Sequence, residues 1–268
     1  MTYIPLGISD LAVAALLVAA NAMLSISLHL GLERRILVAA ARMVVQLSLV
    51  GLVLKLLFVA VSPLWTGLTA LAMVLFAGQE ILARQDRRFS GWWAYGLGTG
   101  SMLFAAGLVT LFGLTTALRP DPWYHPQYAI PLLGMVLGNT MTGISLGLHT
   151  LTAQVAEQRA AIEARLALGD PLRAAMLPVV RKALRSASMP ILNAMGTTGL
   201  VSLPGMMTGQ ILGGVEPAEA VKYQILIMFL ISGGTAAGAV AAVLGGVGRL
   251  GDHRQRLRLD RLGPKRER

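Results

Sequence analysis

The string GLVSLPGMMTG at 199–209 gathers the side chains best suited to chemistry in this chain. Met206 and Met207 carry soft thioether sulfurs, which favour ions such as Cu(I), whereas Fe(II) is better served by nitrogen and oxygen donors. Thioethers also pack adaptably; that use is favoured for Met207, and both uses stay open for Met206. Pro204 lacks an amide donor and Gly205 adds backbone freedom, so a helix through this string is expected to kink or unwind there. Gly199, Ser202, Met206, Gly209 and Gly213 recur every three or four residues and form one small, weakly polar face. Asn139 lies in mid-stretch among apolar residues, sharing a face with Met135 and Thr142. An amide in lipid must find a partner in a helix bundle or along a water-filled path. Arg42 with Gln46 one turn on, Lys55 and Glu80 are the charged or amide groups inside other apolar stretches. Arg42 lies about 9 Å inside its stretch at 1.5 Å per residue. Glu80 lies at comparable depth, so the two could pair; the alternative is that both snorkel to the interface, as Lys55 does. Candidate metal ligands are therefore Met206, Asn139 and Glu80.

What is missing narrows the chemistry. There is no cysteine, so disulfides, thiolate metal sites and cysteine nucleophiles are excluded. No GxxxxGK[ST] or HExxH occurs, so neither a P-loop nor that zinc-hydrolase site is present. His29, His125, His149 and His253 are scattered without ligand spacing. The run GLGTG at 96–100 follows no strand and lies in a membrane helix, so it is not a nucleotide loop. No catalytic residue and no cofactor on this chain are expected.

The elements that must position these residues are membrane helices. Of 268 residues, 55% are apolar and 13% charged, with a mean hydropathy of +0.65. Residues 11–32, 56–79, 89–118, 122–156, 186–215 and 223–248 carry no formal charge, and each can hold a span of ~20 residues. With the stretch around Arg42 and Lys55, seven spans are expected, at about 8–28, 36–60, 64–83, 93–117, 127–149, 189–213 and 223–247. The first is read as a retained helix, since it lacks a basic start and its apolar stretch is too long for a signal peptide. With the C-terminus inside, all but four of the 23 Lys and Arg fall in inner segments; the exceptions are Arg42, Lys55, Arg119 and Lys222. That asymmetry places the N-terminus outside and the C-terminus inside. It also explains the net charge of +10 without nucleic acid. The domain reading is a transmembrane region over 1–248 and a basic cytoplasmic tail over 249–268, which could touch anionic membrane lipid.

Residues 150–188 form the largest inner segment. Gly169 would close one helix as a C-cap does, and Pro171 suits the first turn of the next, giving a helical hairpin below the membrane. Small residues four apart, such as Gly143/Gly147, Gly205/Gly209 and Gly234/Gly238, let helix backbones approach closely in lipid.

Two resemblances follow. Glu163-Ala164, then Gly169, then Leu177-Pro178 resembles the EAA loop of ABC-transporter permeases, with Arg165 in place of the second alanine and the Leu-Pro pair about a turn early. GLVSLPGMMTG, followed by VKYQI at 221–225, GMVLGNTM at 134–141, Arg42 with Gln46 and the LALGD turn resemble the FetB-type permease family from about Glu33 to Phe229. The resemblance implies the membrane half of an ABC exporter, linked to iron efflux in bacteria and to aluminium tolerance in plants, where a nucleotide sugar has been proposed as cargo. It implies coupling to a cytoplasmic ABC ATPase through Glu163, Leu168, Gly169 and Asp170, with ATP and Mg held by that partner. The chain is expected to be a homodimer in the cell inner membrane. The substrate path would run along Arg42, Gln46, Met135, Asn139, Ser202, Pro204, Gly205, Met206 and Met207. The alternatives are an ABC permease for another cargo, a nucleotide sugar or a lipid, and an ATPase-independent ion-coupled carrier; the carrier needs intramembrane carboxylates, of which Glu80 is the only good candidate.

Overall fold

A computed structural model describes residues 7–252 and 254–264. His253 and residues 265–268 of the basic tail lie outside the described residues. The described residues form an all-α membrane protein with no strand, only isolated bridge pairs. They fall into two compact units, one of residues 1–61 with 212–214, the other of 62–211 and 215–268.

The first unit is a helical hairpin, α1 (Ile8–Ser27) and α2 (Glu33–Ala60). Its turn is tied by the buried Ser25, whose Oγ donates to Glu33 Oε2 at 3.0 Å and accepts the Leu32 amide at 2.9 Å. Gly31 takes the left-handed conformation the turn requires (φ +67°). Most other side chains of the hairpin are exposed, and the large ones among them are mainly apolar, as on lipid-facing helices.

The second unit holds α3 (Pro63–Ala83), α4 (Trp93–Phe112, prolonged by a π turn over Gly113–Leu118), α5 (Pro126–Glu157), α6 (Arg159–Ala167), α7 (Leu172–Thr197), α8 (Gly205–Leu212) and α9 (Pro217–Leu250). α5 and α9 form its centre, and glycine lets them touch. A Cβ on Gly143 would lie 2.6 Å from Thr235 Cγ2, and one on Gly238 would lie 2.6 Å from Thr140 Cγ2. Gly147 meets Ala187 of α7, and Gly234 meets Val136 of α5. These are the small-residue pairs expected to pack. Gly205 and Gly209 meet nothing within 4 Å, and α8 buries no residue, so that pair packs on nothing in the unit.

Among the described residues, six helices are long and apolar enough to cross a membrane: α1 to α5 and α9. The seventh expected span, 189–213, is not one helix. α7 starts far earlier, at Leu172, and it carries Arg173, Arg181, Lys182 and Arg185, which lowers its hydropathy. It stops at Thr197, and α8 begins only at Gly205. Pro204 therefore does not kink a helix; it sits in the connection. The prolines inside helices are Pro131 in α5 and Pro178 and Pro190 in α7.

Three segments read as cytoplasmic meet at one end of the second unit. The Ser90 amide, between α3 and α4, donates to the Arg261 carbonyl at 2.8 Å, and the Leu172 amide donates to Gln255 Oε1 at 2.8 Å. The Lys and Arg excess there makes that end the cytoplasmic one.

Candidate functional site

The inner hairpin is built as its sequence implies. α6 ends in a Schellman turn: the Gly169 amide donates to Leu166 O at 3.0 Å and the Asp170 amide to Arg165 O at 3.1 Å. Gly169 supplies the left-handed residue (φ +97°), and Pro171 is the N-cap of α7. Arg165 Nε donates to Asp170 Oδ2 at 2.8 Å across the same turn. Arg159 Nε reaches Glu163 Oε1 at 2.8 Å along α6. Both expected coupling carboxylates are thus engaged by arginines of their own hairpin. What the turn offers a partner is Leu168, 87% exposed at its tip.

The hairpin is fixed to the bundle. Lys182 Nζ donates to Gln154 Oε1 at 2.8 Å, and Ala183 and Ala187 lie against Gly147. α7 therefore runs antiparallel to α5. Thr197, ten residues beyond Ala187, lies about 15 Å further toward the outer end. That depth is within the expected span of α5.

There the backbone leaves the helix in a closed turn. The Thr197 carbonyl accepts the amides of Val201 at 2.9 Å and Ser202 at 3.2 Å. Gly199 is left-handed (φ +88°), and its amide donates to the Ser202 carbonyl at 2.9 Å. The Pro204 carbonyl accepts the Thr208 amide and starts α8. Leu200 and Val201 stand out at 91% and 82% exposure. Non-helical backbone at membrane depth is tolerated where protein buries it or where it lines a water-filled cavity.

The other path candidates divide. Met206 is half-buried and packs against the apolar core, a structural use of its sulfur; Met207 is half-buried. Met135 also packs on the core. Asn139 is exposed, and its Nδ2 donates to its own helix at Met135 O, 2.9 Å away. Thr142 does the same with Gly138 O at 3.0 Å. Asn139, Gly138 and Thr142 thus mark a small, weakly polar stripe on α5. Arg42 and Gln46 are exposed on α2, in the first unit, and Glu80 is half-buried on α3, in the second. Among the described residues no three His, Asp or Glu side chains are grouped to hold a metal ion.

One site escaped the sequence reading. A cleft of about 320 Å³ at the cytoplasmic end is lined by Asp86, Arg87, His149, Thr152 and Glu157 among others. His149 Nδ1 stands 3.9 Å from Asp86 Oδ2. The spacing of 149, 152 and 156 puts them on one face of α5, a readable signal. Nothing in the sequence brings Asp86 to that face.

A family model described as an uncharacterised protein family, UPF0014, matches residues 8–250. The membrane protein STAR2 of Oryza sativa is 38% identical over 85% of this chain and 78% of its own length. Protein ALUMINUM SENSITIVE 3 of Arabidopsis thaliana is 34% identical over 86% and 82%. The probable iron export permease protein FetB of Escherichia coli is 33% identical over 83% of each chain. No solved structure matches.

Proposed function

The chain is a multi-pass membrane protein of the UPF0014 family, and we propose that it is the permease subunit of an ABC exporter. A separate cytoplasmic ATPase would bind ATP with Mg and dock on the α6–α7 hairpin. One observation carries this reading: α7 is one continuous helix, through Pro178 and Pro190, from beside the docking tip to the broken turn. Its 26 residues span about 39 Å. A push on Leu168 at one end is delivered to Thr197–Gly205 at the other.

The cargo is a metal ion, with iron first, because the Escherichia coli relative is named for iron export. The ion enters near the cytoplasmic cleft lined by Asp86, His149 and Glu157, whose carboxylates attract a cation without forming a closed ligand set. Two copies of the chain form the path. The open Gly205/Gly209 face of α8 and the exposed Leu200 and Val201 favour burial against a second copy, since lipid leaves exposed turns unsatisfied.

Leu168→Asp tests the docking. It should abolish co-purification with the ATPase while the protein still inserts and melts normally. Unchanged co-purification and unchanged ATP hydrolysis would refute the hairpin as the docking element.

A further inference from the structure

In the sequence the segment after α9 is a basic tail. In the structure residues 251–252 and 254–263 fold as a clasp. Asp252 Oδ1 accepts the amides of Arg254 at 2.9 Å and Arg256 at 2.8 Å. The Arg258 amide returns to the Leu250 carbonyl at 2.8 Å. Arg258 grips Asp260 through two bonds of 2.9 Å, and Arg261 Nη1 caps the carbonyls of Arg249 and Gly251 at 2.8 and 2.9 Å. One end is bound to the α3–α4 turn through the Ser90 amide and through Gly263, whose amide donates to Arg88 O at 2.8 Å. The other end holds α7 through Gln255.

This clasp stands beside the hairpin. Glu163, Leu166 and Asp170 on one wall and Arg254, Gln255, Arg256 and Leu257 on the other enclose a cleft of about 420 Å³. The hairpin's carboxylates are matched by Arg159 and Arg165. The exposed Arg254 and Arg256 therefore supply the excess charge of the cleft, and it is positive.

We propose that the clasp is the second wall of the ATPase-docking site, with Arg254 and Arg256 receiving carboxylates of the ATPase subunit. The proposal rests on the docking reading above and adds a partner surface to it. A protein occupant fits better than a lipid phosphate. The exposed Leu168 lies between Leu166 and Asp170, two residues that line the cleft, so a protein surface seated on that apolar tip reaches the arginines, which a lone headgroup does not require.

The test uses the full chain with its ATPase in detergent. R254E/R256E should weaken ATPase binding at least tenfold, and R254K/R256K should restore it. If the charge reversal lowers folded yield, R254Q/R256Q is read instead, with the same direction expected. Leu168→Asp is the reference arm. Loss of binding in Leu168→Asp, with unaltered affinity in the Arg254/Arg256 variants, overturns the second wall and leaves the hairpin reading intact. Retained binding in both overturns the hairpin reading as well. A variant that loses only its binding to phosphatidylglycerol vesicles, with ATPase affinity unchanged, makes the clasp a lipid contact and overturns the proposal.

Discussion

The first amide of α7, that of Leu172, donates to Oε1 of Gln255, 83 residues further along the chain, at 2.8 Å. The N-cap Pro171 has no side-chain acceptor, so a distant glutamine fills that office. Gln255→Ala should therefore cost about 1 kcal/mol, the usual value of a lost N-cap. Hydrogen exchange in the first turn of α7 is the measurement. Faster exchange confined to Leu172–Ala175 is expected; unchanged exchange would mean that the contact is incidental.

Gly143 and Gly238 should tolerate no side chain. Gly143→Val drives a branched group into Thr235 and the Ala187 carbonyl, and overpacking of this kind costs about 1–3 kcal/mol. Gly138→Ala meets open space and should melt as the parent does. Equal melting temperatures for Gly143→Val and Gly138→Ala would contradict the close α5–α9 seam.

The ion pair inside the clasp sets its pH range. Hydrogen bonding to Arg258 holds the Asp260 carboxyl down at about 2. A depressed carboxylate pKa contributes stability above its ordinary value and loses it only as pH falls through the folded value. Protection of the Ser90 and Gly263 amides, corrected for intrinsic exchange, should thus be constant from pH 8 to pH 5. A loss of protection within that window would contradict the pairing.

Pro204 shows where sequence reasoning stopped. Missing amides and small residues announce a break, and the break is present. Its form was not legible, because three-residue spacing looks the same in a kinked helix and in a closed turn. The Thr197 carbonyl collecting the amides of Leu200, Val201 and Ser202, together with the left-handed Gly199, decides the form. By contrast, Gly169 and Pro171 were legible because capping is local. The clasp and the Asp86–His149 cleft were not, since both join segments far apart in sequence.

The closed turn changes what mutations should do. Replacing Pro204 and Gly205 by Ala and Leu should leave the break in place, as the hydrogen bonds that close the turn use the nitrogen of neither residue. Gly199→Val places a branched residue at positive φ, which is strained. It should lower transport with ATPase binding intact. A cysteine at Val201, exposed in the parent, reports the outcome: label accessibility should survive the double change. Its loss would indicate a continuous helix.

Sidedness can be read by cysteine labelling at two exposed positions, Asp121 and Ser90. Asp121 should label from outside and Ser90 from inside. Pro126, at the same outer end, is buried and unsuitable. The reverse pattern would invert the assignment of the cytoplasmic end.

ATP-dependent export is measured most directly in inside-out vesicles carrying this chain and its ATPase, supplied with Fe(II) outside. Iron should accumulate within on addition of ATP and Mg, and Leu168→Asp should abolish the uptake without loss of the protein. Iron uptake that proceeds without the ATPase, driven by an imposed ion gradient, would contradict the ABC-permease assignment.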